Sequence, residues 1–194
     1  HLRNTAWWQG EEDRFAPRTI SAACRWLEEA AQETNPFYLY VDLFDPHEPW
    51  DPPQHYLDLY DPDYAGEPLF YSSYGLWREI FTPRELQHLR AQYMAEATMV
   101  DHWFGTLLAK VEELGLAEDT AIIFTSDHGY LFGEHDLVGK SLLPERDGQF
   151  FYEAIPLYHD VRAVPLMIRL PGQTRRNDIA ALLERRAIRL EQVA

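Results

Sequence analysis

The densest chemistry in the sequence is "TSDHGYLFGEHDLVGK", residues 125–140, where two Asp/His pairs, a Glu and a Lys fall within sixteen positions. Asp127 and His128 offer a carboxylate oxygen and an imidazole nitrogen to one divalent cation. They could equally form a polar loop start with a satisfied His. Gly129 beside them lets the backbone turn sharply or approach a ligand closely. Lys140 is one of only two lysines, with Lys110. Its ammonium suits an anionic oxygen of phosphate or sulfate, although the default for a lysine is a solvated surface. Glu134 and His135, between Gly133 and Gly139, could face the same space or cap a turn. A zinc site from His128 and His135 is a further reading, but it has no Cys partner and no familiar ligand spacing. A second cluster, "DPHEPWDPP" at 45–53, holds His47 between prolines. A restrained His suits a general acid or an anion contact, or else a ring packed on Trp50.

Both clusters follow apolar runs that must position them. "PFYLYVDLF" (36–44), "DTAIIFTS" (119–126) and "VPLMIRLPG" (164–172) read as strands. Residues 17–34 place Ile20, Ala23, Cys24, Leu27 and Ala31 on a helical stripe. A second helix opens at Thr82 as N-cap, with Pro83 at N1 and Glu85 at N3 of a capping box. Its stripe runs from Leu86 through Leu89, Tyr93, Ala97, Val100, Phe104, Leu107 and Leu108 to Val111. Gly115 is its expected stop, and Gly105 a bend or a close packing point. The Pro- and Asp-rich stretch after residue 44 is expected to be a long, stiff loop. Residues 127–163 show little periodicity, and 177–193 read as a final helix. Strand, helix, strand is the order of a parallel crossover, so the expected fold class is α/β with a mostly parallel sheet sandwiched between helices. Functional groups in such sheets gather past the carboxyl ends of strands, where both clusters lie.

Composition narrows the function classes. The chain has 194 residues, 46% apolar and 14% aromatic, which is globular. A net charge of -15 argues against nucleic-acid and anionic-membrane partners. One cysteine, Cys24, excludes an internal disulfide and a Cys-based zinc cluster. No apolar run reaches the length of a membrane span, and no signal peptide opens the chain. Compartment and oligomeric state are not legible.

Four blocks in order over residues 36–172 resemble the sulfatases of the alkaline phosphatase superfamily. "FTSDHGYLFGEHDLVGK" is similar to their second signature region, and "YVDLFDPHEPWDPPQHY" to their "PHxPw.pP" segment. "YMAEATMVDHWFGTLLAKVEELGLAEDTAIIFTSDHG", with Asp101 and Gly105, resembles the helix leading into the signature, and "VPLMIRLPG" the strand that follows. The resemblance implies that Asp127 and His128 are late ligands of a single divalent metal, usually calcium, with manganese or zinc in the related phosphonate monoester hydrolases. It implies that Lys140 contacts the sulfuryl oxygens, that His47 stands near the ester oxygen, and that His135 is a pocket residue. The substrate it implies is a small-molecule or carbohydrate sulfate ester; the alternatives are a phosphonate or phosphate ester hydrolase of the same superfamily and a non-catalytic binding or structural module with the same fold.

The sequence departs from the family pattern at the nucleophile. No Cys/Ser-x-Pro-x-Arg is present, the motif whose Cys or Ser becomes formylglycine. Cys24 sits in "CRWLE", and Ser141 in "SLLPER" has one residue too many before Pro144. The early Asp-Asp metal pair is absent as well. Residues 1–172 are therefore expected to be the middle and later part of a sulfatase catalytic domain, an incomplete domain, with 173–194 an unmatched helical tail. Such a chain is expected to be inactive alone, to hold metal weakly and to expose apolar sheet surface.

Overall fold

A computed structural model describes residues 5–69 and 73–172; the tail helix expected at 177–193 lies outside the described residues. The helices are α1 (Phe15–Ala30), α2 (Gln54–Leu57), α3 (Trp77–Ile80), α4 (Pro83–Glu113) and α5 (His159–Arg162). The strands are β1 (Gly75–Leu76), β2 (Ile122–Thr125), β3 (Leu131–Phe132), β4 (Leu137–Gly139), β5 (Glu145–Arg146), β6 (Gln149–Phe150) and β7 (Leu166–Arg169).

The long helix α4 is the spine. Its start is the capping box read from the sequence: the Glu85 amide donates to Thr82 Oγ1 at 3.3 Å, and the Thr82 amide to Glu85 Oε2 at 2.7 Å. It ends where Gly115 turns left-handed at φ +70, the conformation that glycine adopts at least cost. The apolar stripe of α1 packs Ile20, Ala23 and Leu27 against Leu107 and Val111 of α4, with Cys24 partly buried at the edge. Gly105 is exposed, and a Cβ there would meet nothing within 4 Å, so of a bend or a close packing point it is not the latter.

Periodicity missed a second stripe on α4. His88, Gln92 and Glu96 are buried, at successive i, i+4 positions. Polar residues at that spacing read as a solvated face. Instead they lie under the irregular chain of 45–61, whose polar groups need partners that a sheet ladder would otherwise supply. His88 Nδ1 is 2.8 Å from Asp61 Oδ2, and Gln92 Nε2 donates to the Trp50 carbonyl at 3.2 Å.

The strand runs pair differently from the crossover expected of them. Strand β7 pairs with β2 antiparallel over four residues, Ile122 opposite Arg169 through Thr125 opposite Leu166. Strand β4 lies between β1 and β3, also antiparallel. Residues 36–44 form no strand among the described residues. Their side chains still alternate as a strand's would. Phe37, Leu39, Val41 and Leu43 pack on the α1–α4 core, while Tyr38 and Tyr40 are 86% and 72% exposed. Ile123, Leu166 and Met167 are exposed as well. Sequence pattern reports which face a strand buries. It does not report which neighbour completes the ladder, and here apolar side chains of the β2–β7 pair stay exposed.

Candidate active site

A β-hairpin closes the spacing of the first cluster. Strand β2 ends at Thr125, and Asp127 to Tyr130 lead into β3. Leu131 pairs with Gly139 on β4, which returns the chain and sets Lys140 beside the residues just before β3. Lys140 Nζ therefore lies 3.3 Å from His128 Nε2, though twelve residues separate them. The same Nζ lies 2.8 Å from His47 Nε2, across 93 residues of chain. The structure thus brings His47, Lys140 and His128 to one point. Lys140 is not a solvated lysine, since its side chain is 21% exposed.

The loop carrying His47 is pinned on both sides. Asp45 Oδ2 accepts the Ala16 amide at the start of α1 at 2.8 Å. Trp50 is 1% exposed, donates from Nε1 to the Pro46 carbonyl at 2.8 Å, and packs edge-on against Tyr93 and Tyr130. Arg14 pairs with Asp51 at 3.4 Å. The Asp45–Pro46 and Glu48–Pro49 bonds are cis. His47 does not pack on Trp50; its ring lies on Phe44, with centroids 4.8 Å apart.

Hydrogen bonds select the tautomers. His47 Nδ1 is 2.8 Å from the Glu48 carbonyl, and His128 Nδ1 is 2.9 Å from the Gly129 carbonyl. A carbonyl only accepts, so both Nδ1 atoms carry hydrogen, and in the neutral rings both Nε2 atoms present a lone pair. A backbone carbonyl on the far nitrogen is the usual support of a metal-binding imidazole. Asp127 Oδ2 lies 3.5 Å from His128 Nε2, near enough for both to touch one cation. Partial burial pushes the Asp127 carboxyl up, but the His128 amide, the His128 ring and Lys140 outweigh it and hold it below the usual carboxylate range. The donor set suits a divalent cation as far as it goes: two ligands, with no group of three or more metal-ligating side chains among the described residues.

His135 meets a different pair of side chains. Its ring stacks on Tyr158 at 3.7 Å, and Nε2 is 3.4 Å from Asp160 Oδ2. This speaks against a zinc site shared with His128. His135 also has a left-handed backbone, φ 56, in the short turn between Gly133 and Gly139, which only a few per cent of non-glycine residues adopt. Asp160 links this turn back to the cluster. The Gly129 amide donates to the Val161 carbonyl at 2.7 Å, and a Cβ on Gly129 would fall 2.0 Å from the Asp160 carbonyl oxygen. Gly129 makes its close approach to the chain's own backbone, whereas its sequence position suggested a sharp turn or a ligand. Gly129→Ala is expected to destabilise the fold by about 3 kcal/mol, the upper range for overpacking, and to displace His128. An unchanged thermal midpoint would contradict this.

Sequence reading did not single out two residues at this site. The Tyr74 hydroxyl donates to Glu48 Oε1, and Glu48 Oε2 is 3.3 Å from His47 Nδ1. Glu48 could have been read from its place beside His47. Tyr74 sits in "YSSYGLW", a stretch without any pattern, and only folding brings it here.

Known proteins align with this chain. An arylsulfatase of Clostridium perfringens is 29% identical over 155 residues, covering 72% of this chain and 28% of the relative. The chain thus spans under a third of that protein. The phosphonate monoester hydrolase of Agrobacterium radiobacter superposes with a TM-score of 0.60 at 20% identity, over 84% of this chain and 34% of that one. A protein solved with its substrate D-glucosamine-2-N,6-O-disulfate superposes with a TM-score of 0.55 at 21% identity, over 81% of this chain and 43% of that one. At these identities the two structural likenesses are likenesses of fold, the α/β fold of the alkaline phosphatase superfamily. The sulfatase family model matches residues 6–188, nearly the whole sequence, and the chain belongs to the sulfatase family.

Proposed function

We propose that the protein to which these residues belong hydrolyses a sulfate monoester of a carbohydrate or another small molecule. The observation that carries this reading is the convergence of Lys140 on His47 and His128, at 2.8 and 3.3 Å. A lysine held between two imidazole lone pairs is an ammonium with a hydrogen to spare for an anionic oxygen. Hydrolysis breaks the bond between sulfur and the ester oxygen, and charge grows on that leaving oxygen. The ammonium of Lys140 stabilises a sulfuryl oxygen, and His47, once Nε2 has taken up a proton in place of the hydrogen it accepts from Lys140, donates that proton to the leaving oxygen. Asp127 and His128 supply two ligands to a divalent cation, calcium by the family resemblance. When bound, that cation would offset further charge on the sulfuryl oxygens. The nucleophile in this reading is a formylglycine, whose motif these residues do not contain. The overall charge of -15 is no obstacle, because the local field at Lys140 governs binding.

A second reading, a phosphonate or phosphate ester hydrolase, is favoured by the likeness to the phosphonate monoester hydrolase. Turnover of aryl sulfates, aryl phosphonates and phosphodiesters by the full-length protein separates the two. Aryl sulfates are expected to react fastest; phosphonates or diesters reacting far faster would overturn the sulfatase reading.

A further inference from the structure

We propose that Glu48 and Tyr74 are positioning residues that hold His47 and Lys140 at their working separation, an inference that rests on the hydrolase reading above. Glu48 is the hub. Its side chain is 12% exposed, and its two oxygens face different partners. Oε2 is 3.3 Å from His47 Nδ1, while Oε1 accepts the Tyr74 hydroxyl and lies 4.0 Å from Lys140 Nζ. One carboxylate thus touches the imidazole, faces the ammonium and is itself tethered by a phenol.

The tether has a fixed post. Tyr74 directly precedes β1, whose Gly75 pairs with Val138 of β4, two residues before Lys140. Its ring covers Gly139, where a Cβ would fall 2.7 Å from Tyr74 Cγ, at a backbone φ of +110. Burial first, and then the bond to Glu48, hold the Tyr74 phenol above its ordinary value. It therefore stays a donor. The bond from Tyr74 to Glu48 joins the proline-rich loop bearing His47 to the sheet bearing Lys140.

The charge of Glu48 has a consequence that a packing role alone would lack. A carboxylate 4.0 Å from Lys140 repels any anion the lysine binds. Glu48→Gln keeps the shape and removes this repulsion. Inorganic sulfate is then expected to bind tighter, by about three-fold or more at moderate salt. Turnover is expected to move the other way, with kcat reduced about ten-fold and KM unchanged or lower. Tyr74→Phe is expected to lower kcat less. The double variant is expected to be no slower than Glu48→Gln, because Tyr74 acts through Glu48.

The test uses the full-length protein with its metal, with calorimetry of inorganic sulfate binding beside steady-state kinetics on the ester it hydrolyses best. Lys140→Ala is the control that loses sulfate binding. Unchanged sulfate affinity in Glu48→Gln, an unchanged kcat, or losses that add in the double variant would overturn the proposal. A protein that binds sulfate but hydrolyses no ester refutes the proposed function and leaves the pair to be decided by the affinity ratio. Absence of sulfate binding in the unaltered protein refutes both.

Discussion

Lys140→Ala in the full-length protein is expected to lower kcat by about 10²–10³-fold, the usual cost of removing one donor to developing negative charge, while bound metal stays at its original level. Asp127→Ala is expected to reduce metal content. The two residues flank the hairpin at its open end, Asp127 before β3 and Lys140 after β4, and offer different chemistry, an ammonium at Lys140 and a carboxylate at Asp127. His128 stands between them, 3.3 Å from Lys140 Nζ and 3.5 Å from Asp127 Oδ2. Metal analysis of both variants, read beside their kcat, checks the division of roles. Equal metal loss in both would undo it. Substitution of Lys140 also removes the hydrogen shared with His47, so part of the loss is expected to arise from a freed imidazole.

Glu96→Gln is expected to remove a strong pH dependence of stability. Glu96 is 2% exposed, and its Oε2 has no hydrogen-bond partner among the described residues. Burial, and then the fields of Asp45 and Asp51, push its carboxyl from 4.5 up to about 9. Burial likewise raises Asp45 and Asp51. Between 4.5 and about 9 the folded protein holds a proton on Glu96 that the unfolded chain has released. Stability is therefore fully present below the lower value and is lost as pH rises through the window, by about 1.4 kcal/mol per unit. Glutamine keeps the size and neutrality of the protonated acid and has nothing to titrate. The variant is expected to be more stable by a few kcal/mol near pH 9, with little difference near pH 4. Denaturant midpoints across that range provide the measurement, and parallel curves for the two proteins would sink the idea. The loss would be felt first at the His47 loop, because Asp45 and Asp51 anchor it.

Much of this site was legible before folding. The helix start at Thr82 and stop at Gly115 rest on local hydrogen bonding and a left-handed turn, so residue types alone specify them. The two clusters could be placed past the ends of apolar runs because those runs bury a face wherever they lie. Gly129 could be read as a turn or a close approach because glycine alone lacks the Cβ that would collide, but its partner, the Asp160 backbone rather than a ligand, could not.

Other features needed distance in space. The buried line of His88, Gln92 and Glu96 looks solvated in sequence, since polarity does not reveal that an irregular loop will cover it. The antiparallel pairing of β2 with β7 depends on which backbone arrives alongside, and side-chain pattern is the same for either direction. His135 was read as a pocket residue by resemblance, and the contacts of its ring with Tyr158 and Asp160, set up by a left-handed turn, had no signal in the sequence. By itself the sequence determined the family, the α/β class and the residue types of the site, because these lie in local order and spacing. Only the tertiary structure decided that Lys140 meets His47 as well as His128, and that Glu48 and Tyr74 stand behind them. Those contacts join segments tens of residues apart, and no local rule encodes the packing that closes such distances.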